Sequence, residues 1–429
     1  MSTLAVLKQQ ILAGDYNPLF AKLYGKRQSY ISAQQKRYLQ AIDKFAELFP
    51  NSKEISLFSA PGRTEVGGNH TDHQHGAVLA AAVNLDVIAV VSLNHSDTIR
   101  VQSQGFPMDT VDLADFGVCE TDKGTSTAII RGIASRFTQL GYAVGGFDAY
   151  TTSNVLKGSG LSSSAAFENL IGTILNHAFN AGRISAVEIA QISQYAEVHH
   201  FGKACGLMDQ MASSVGGFSS MDFRDPIHPA IEKIDFNFAD CGYALCVVDT
   251  KGSHADLTPD YVAIPTEMKQ VAAYFGKEVL REVDETEFYA NIAVLRHSVS
   301  DRAIMRAIHF FAENRTALEE AAALKQGDFD AFCRLVKSSG DSSFKFLQNI
   351  YSSAHPAEQG VSLGLALSER ILGERGVCRV HGGGFAGTIQ SFVPLDLVEV
   401  YQQAMEQVFG TGSCYVLNIR PLGGVAVEV

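Results

Sequence analysis

The chain has 429 residues, 46% of them apolar and 19% charged, which is enough for two or three packed domains of roughly 150 residues each and too apolar for a disordered or fibrous protein. Lys and Arg number 34 against 46 Asp and Glu, a net charge of −12, so nucleic acid and anionic membrane find no overall attraction and an anionic ligand must be held by a local site. The longest apolar run, 77–91, is broken by Asn84 and Asp86 and is shorter than the roughly 20 residues of a membrane helix.

The N-terminus has neither a continuous apolar stretch nor a small-residue cleavage site, so a cytoplasmic location is expected, and seven cysteines without a C-x-x-C pair read as free thiols. The first fifty residues read as helix, with Leu39, Ile42, Phe45 and Leu48 recurring every three positions and Pro50 closing the segment. From Ile55 the pattern turns to strand and Gly-rich turn, SLFSAPGRTEVGGNH, followed by VLAAAVNLDVIAVVSL, whose Val content favours sheet in its second half. A second Gly-rich loop, Lys157 to Ser164, leads into a helix predicted from Ala166, Leu170, Ile174 and Ala178 and ending before Gly182. Ser185 and Glu188 form a capping box for the next helix, which carries Ile189, Ile192 and Ala196 on one face and stops at Gly202. CGLMDQMASSVGG predicts a short helix, and a polar stretch then separates it from the strand CGYALCVVDT, which puts a domain boundary near residue 235. Further helices are expected around 266–275, 288–296, 301–313 and 316–336, before the turn HGGGFAG and strand-like ends.

Three segments carry chemistry. In KGSGLSSSAAFEN, small hydroxyl residues and glycines precede a helix whose free N–H groups and dipole suit phosphate oxygens; the spacing is not that of a Walker A loop. HGGGFAG matches G-x-G-x-x-G at Gly382, Gly384 and Gly387, but the following TIQSFV reads as strand rather than helix, so a tight turn fits better than a dinucleotide site. Asn69 to His75 places His73 and His75 two apart, as in a metal hydrolase, or else offers Asp72 to a polyol with Arg63 nearby. Glu197, Asp209 and Tyr261 are unremarkable in isolation.

In combination, Ala60-Pro61-Gly62-Arg63 with Asn69-His70-Thr71-Asp72, then Gly160 to Ala166, then Gly382 to Gly387, resemble the three signature motifs of the GHMP small-molecule kinases. The segment Gly206 to Gln210 and Tyr261 point to the galactokinase branch. The resemblance runs from about residue 55 to the C-terminus. It implies an α+β fold of two domains, 1–235 (S5-like, with a helical extension over 1–50) and 236–429 (ferredoxin-like), with ATP and sugar meeting in the cleft between them. It also implies a sugar 1-kinase acting on galactose. Asp209 matches the catalytic Asp beside the anomeric hydroxyl and Arg63 the Arg near it. Ser164 and Glu197 match the protein ligands of Mg²⁺. His70, Asp72, Gly206 and Tyr261 match sugar contacts. Lys157, Gly158, Ser159, Gly160, Leu161, Ser162, Ser163 and Ser164 form the phosphate loop.

Three positions depart from that pattern. Asn69 stands where the family usually has Glu, Glu65 where it usually has Asn, and His73 where it usually has Tyr. The loss of a carboxylate at Asn69 removes an acceptor for a sugar hydroxyl, and Glu65 is expected to restore one from the opposite side. The exchange leaves open a modified hexose, another aldose or a uronic acid as substrate, and a non-catalytic sugar sensor is a further alternative, against which the retention of Arg63 and Asp209 argues. The resemblance implies sugar and ATP as the partners, and the −12 charge offers no overall attraction for nucleic acid or membrane.

Overall fold

The computed structural model describes residues 2–155, 160–203, 205–252 and 257–429. A two-residue strand β1 (Ser2–Thr3) precedes α1 (Leu4–Ala13), α2 (Asn17–Tyr24) and α3 (Gln28–Leu48), the helical region expected over the first fifty residues. Helix α3 stops at Leu48, two residues before Pro50, because the residue preceding a proline is driven out of the helical region. The chain then forms β2 (Glu54–Gly67), β3 (Ala77–Leu93), β4 (Thr98–Ser103), β5 (Met108–Asp112), α4 (Ser126–Gln139), β6 (Phe147–Ser153), α5 (Ser163–Asn180), α6 (Ala186–Ala196), α7 (Met208–Val215), β7 (Phe218–Asp222) and β8 (Ala230–Ile234). The remainder comprises β9 (Tyr243–Asp249), α8 (Thr258–Tyr274), α9 (Glu285–Ala290), α10 (Ile292–Leu295), α11 (Asp301–Gln326), α12 (Phe329–Ser342), α13 (Gly360–Leu372), β10 (Val377–His381), β11 (Thr388–Pro394), α14 (Val398–Phe409), β12 (Cys414–Leu417) and β13 (Val425–Ala426).

Two sheets organise these elements. The first has nine strands, with the path β1-β2-β3-β6-β4-β5, β7 and β8 branching from β3, and β13 returning from the C-terminus to β2. The second is the antiparallel β10-β11-β9-β12. Strand β3 explains the long apolar run. Its residues Val87, Ala89 and Val91 face a core built with Ile130, Ile133, Leu170 and Ile174 of α4 and α5, whereas Ile88 and Val90 face Phe20, Tyr38, Ile42 and Phe45 of the N-terminal helices. A strand buried on both faces reads as a continuous hydrophobic run. Each such aliphatic or aromatic side chain contributes about 1.5–3 kcal/mol on burial. The N-terminal helices therefore cover the outer face of the first sheet. They are tied down by the fully buried Asp86, which accepts from Tyr24 at 2.6 Å, from Arg37 at 2.5 Å and from Arg420 at 3.0 Å. Burial raises the Asp86 carboxyl, and the two guanidinium groups more than reverse this, leaving it below the ordinary aspartate value.

Val66, Leu79 and Ala81 of the first sheet meet Phe238, Leu245, Val247, Phe332 and Phe392 in a core between the two sheets. The helices differ from expectation at several points: the one expected at 288–296 is two, α9 and α10, on either side of Asn291, and α4, α13 and α14 were not foreseen. Residues 301–326 form one helix, since exposed Arg315 does not break it, and the break falls at Gly327 (φ 70°), after which Asp328 caps α12. Helix α8 starts at Thr258, earlier than expected, because Pro259 sits in a first turn where its missing N–H costs nothing. The turn at HGGGFAG joins β10 to β11, as expected. All seven cysteines are free, and among the described residues no helix is long and apolar enough to cross a membrane.

Candidate active site

The APGR segment is strand rather than turn. Strand β2 carries register shifts at Pro61/Arg63 and Glu65/Gly67, and such bulges re-aim side chains. Gly62 allows the start of the phosphate loop to come close: a Cβ there would lie 2.6 Å from the Leu161 carbonyl, which accepts from the Arg63 N–H at 3.0 Å. Helix α7 is fastened to the same bulge through Ser213, whose hydroxyl donates to the Pro61 carbonyl at 2.6 Å.

These anchors bring Arg63 and Asp209, 146 positions apart, into a bidentate pair, Nε to Oδ1 at 2.7 Å and Nη2 to Oδ2 at 2.8 Å. The Ser162 hydroxyl donates to the same Oδ2 at 2.6 Å, and Arg63 Nη1 donates to the Gly160 carbonyl. Ser162 holds a left-handed conformation, φ 56°, a strained choice for serine that places its hydroxyl at the carboxylate. Burial raises the Asp209 carboxyl, but Arg63 and Ser162 overcome it and hold it below the ordinary value. The Asp209 side chain keeps 33% of its surface exposed, so it can still accept a substrate hydroxyl, whereas Arg63 is buried.

Asp72 and Gly206 meet beside this pair. A Cβ on Gly206 would lie 1.7 Å from Asp72 Oδ2, so only glycine fits against that carboxylate. Burial and the nearby Asp209 charge push the Asp72 carboxyl up to about 6. His70 donates from Nε2 to the Gly383 carbonyl at 3.2 Å, which leaves Nδ1 an acceptor; burial pushes its pKa down to about 4, so the ring is neutral at pH 7. Tyr261 donates to the Gly384 carbonyl at 3.0 Å and its ring stands edge-on to Phe385 at 5.1 Å. The HGGGFAG turn is thus the wall that His70 and Tyr261 hold beside the Arg63–Asp209 pair.

A cavity of about 840 Å³ opens on the other side of the phosphate loop. Val87, Ile129, Phe167 and Phe201 line an apolar part, Ser103, Gln104 and Thr151 add polar groups, and Ser163, Ser164, Glu168 and Glu197 form an oxygen-rich part. A pocket of this size and mixed lining suits a nucleotide, with the N-terminus of the 18-residue α5 presenting N–H groups to phosphate. Glu197 is buried, not solvated: it accepts from Gln210 at 2.6 Å and from Lys203 at 2.9 Å. Burial, followed by the Glu197 charge, holds the Glu168 carboxyl well above the ordinary glutamate value. Hydroxyl and carboxylate oxygens are the donor set of a hard divalent cation, and Glu168 Oε1 is buried without a hydrogen-bond partner, so the residues fit one. Glu168 and Gln210 lie within segments the sequence singled out but were given no role of their own there, although Glu168 follows Ser164 by four residues, one helical turn.

Asn69 and Glu65 point inward, away from the role expected of them. The Asn69 amide donates to Glu65 Oε1 at 2.8 Å and to the Gly382 carbonyl at 2.7 Å, its Oδ1 accepts from Asn349 at 2.9 Å, and the residue is fully buried. Glu65 Oε1 also accepts from Arg379 at 2.8 Å. On α11, Glu313 accepts from the Gly68 and Asn69 N–H groups at 3.0 Å each, and His309 bonds the Asn69 carbonyl at 2.9 Å. The pair therefore shapes the turn from behind. His73 Nε2 is buried without a partner, and among the described residues no group of three His, Cys, Asp or Glu side chains is arranged to hold a metal ion, so the His73/His75 metal-hydrolase alternative has no supporting cluster there. Lys157, Gly158 and Ser159 lie outside the described residues.

Residues 43–93 match the galactokinase galactose-binding signature and residues 128–217 the GHMP kinases N-terminal domain. The structure is similar to Lactococcus lactis galactokinase complexed with galactose, with a TM-score of 0.78 at 23% identity over 90% of this chain and 99% of that one. It is also similar to Methanococcus jannaschii mevalonate kinase (TM-score 0.61, 13% identity, 85% and 98% covered). A third likeness is to Streptococcus pneumoniae phosphomevalonate kinase in complex with phosphomevalonate and AMPPNP (0.58, 11%, 86% and 99%). The two sheets, together with the matched N-terminal domain over 128–217, give the chain the fold of the GHMP kinases, a class of ATP-dependent small-molecule kinases. The signature extending from α3 through the Arg63 bulge to the end of β3 narrows the likeness further, since this segment carries the galactokinase galactose-binding signature.

Proposed function

We propose that the protein transfers the γ-phosphoryl group of ATP to the anomeric hydroxyl of galactose, releasing galactose 1-phosphate and ADP. The observation that carries this reading is the Arg63–Asp209–Ser162 cluster, which stands between the oxygen-rich nucleotide cavity and the Asp72/Gly206 contact. Asp72, neutral His70 and Tyr261 bind sugar hydroxyls on the far side. The exposed part of the Asp209 carboxylate accepts the anomeric hydroxyl and orients its oxygen toward the phosphorus. A carboxylate held below its ordinary pKa is a weak base, so the proton reaches Asp209 late, as the new P–O bond forms in a loose transition state. Arg63 places fixed positive charge where charge develops, in a site buried enough to make it count.

The N–H groups at the start of α5, with the loop 157–164, take phosphate oxygens. Mg²⁺ would be held by the Ser164 hydroxyl and the Glu197 carboxylate and supplies charge neutralisation on the phosphates. The work is then cytoplasmic, where ATP is supplied. The inward turn of Asn69 favours a second reading, another aldose, because it leaves the sugar face without a carboxylate at that position. An ADP-release assay with ATP and Mg²⁺ across aldoses, hexosamines and uronic acids tests both. Release with galactose supports the first, release only with another sugar moves the substrate within the same chemistry, and release with none removes the kinase reading.

A further inference from the structure

The nucleotide cavity contains an acidic oxygen with no assigned role. Glu168 follows Ser164 by four residues on α5, so both side chains project from one face of the helix, and both line the cavity. Glu168 is 1% exposed. Its Oε2 accepts from Gln210 Nε2 at 3.0 Å, while Oε1 has no hydrogen-bond partner among the described residues. The same Gln210 nitrogen donates to Glu197 Oε2 at 2.6 Å, so one amide bridges two carboxylates, and Gln210 Oε1 is a second buried oxygen without a donor. Among the described residues the group is also met by the Lys203 ammonium on Glu197 Oε1 at 2.9 Å, from a side chain that is 59% exposed, and by the Cys205 thiol, which bonds Glu197. Gln210 also approaches the Cys205 sulfur at 4.0 Å, a soft atom with no affinity for a hard ion.

Buried oxygens lacking donors are costly, and two carboxylates held together inside the protein repel one another unless a cation joins them. We propose that Glu168 is a second carboxylate ligand of the divalent cation that accompanies the nucleotide, completing with Ser164 and Glu197 a set of hard oxygens, and that Gln210 is the positioning residue that fixes both carboxylates. The inference rests on the reading of Ser164 and Glu197 as the cation's ligands. It adds a ligand that the four-residue helical spacing from Ser164 makes available without any change of backbone. Mg²⁺ and Mn²⁺ take six oxygens, so three from the protein leave three for phosphate and water.

The test is Mn²⁺ binding to the full-length protein saturated with ADP, followed by electron paramagnetic resonance, for the wild type, Glu168→Gln and Glu197→Gln. Glu168→Gln keeps the shape and the contact to Gln210 but removes the charge. It should weaken Mn²⁺ about tenfold or more, the range expected for perturbing a metal site, while sugar affinity stays at the wild-type level. Wild-type Mn²⁺ affinity in Glu168→Gln, with weakening in Glu197→Gln, overturns this inference and leaves the parent reading standing. Wild-type affinity in both variants overturns the parent reading as well. Should Glu168→Gln fail to fold, as judged by its melting curve, Glu168→Asp carries the test: its shortened carboxylate should also weaken Mn²⁺, and an unchanged affinity overturns the proposal.

Discussion

Gly206→Ala perturbs the sugar side by one methyl group. The new Cβ would sit 1.7 Å from Asp72 Oδ2 and 2.6 Å from its Cγ, whereas ordinary contact begins at 3.4 Å. The carboxylate must therefore retreat by about 1.7 Å, beyond the roughly 1 Å misplacement that can cost about a hundredfold. It cannot do so freely, because Oδ1 accepts the His73 N–H at 2.9 Å. The backbone of Gly206 is not in the left-handed region, so alanine adds the clash without backbone strain. The expected result is a fall in kcat/KM for galactose of about a hundredfold, close to 2.7 kcal/mol of transition-state binding, with ATP affinity unchanged. Steady-state ADP release against galactose concentration, with calorimetry for the nucleotide, measures both. A variant within threefold of wild type would refute the assignment of the Asp72/Gly206 contact to sugar binding.

Two further predictions concern the buried network behind the turn. Asn69→Asp replaces the amide that donates to Glu65 and Gly382 with an oxygen facing both, so the melting temperature should fall by an amount equivalent to about 2–4 kcal/mol; an unchanged melting temperature would contradict the hydrogen-bond pattern. Burial pushes Glu65 up to about 7 and Asp72 up to about 6, and a carboxyl raised in this way binds its proton more tightly folded than unfolded. Its stabilisation is full below the ordinary carboxylate value and is lost as pH rises through 6 to 7, so thermal stability should decline between about pH 5 and pH 8. Glu65→Gln should flatten that decline, by up to about 3 kcal/mol for Glu65 alone, and a slope identical to wild type would rule Glu65 out as its source. Asp86, Asp209 and Glu313 are shifted the other way, so their contributions are lost as pH falls through their depressed values.

The helix start after the Gly-rich loop, the capped helix at Ser185, the paired glycines after α7 and the tight turn at HGGGFAG were all readable in the sequence, because glycine and serine at those spacings have few alternatives. The partnership of Arg63 with Asp209 was not, since nothing local links positions 146 apart; only the resemblance joined them. The role of the N-terminal helices was hidden for a similar reason. Their apolar residues are visible, but the face they cover belongs to β3, whose unbroken apolar run showed that both faces are buried without showing by what. Asn69 was read as facing sugar, and its true partners, Arg379 through Glu65 together with Asn349 and Gly382, come from the far end of the chain. The gap expected between 313 and 316 lies inside α11, where polar residues such as exposed Arg315 interrupt the hydrophobic pattern without turning the backbone.

The central claim is that Asp209, clamped by Arg63 and Ser162, directs phosphoryl transfer to the anomeric oxygen. Phosphorus NMR of a reaction containing ATP, Mg²⁺ and galactose, run with the wild type and with Asp209→Asn, tests it directly. The wild type should give a phosphorus resonance coupled to the anomeric proton, while Asp209→Asn, folded and still binding ATP, should give at least about a hundredfold less product. Phosphate on any other hydroxyl, or wild-type turnover in the Asn variant, would contradict the account.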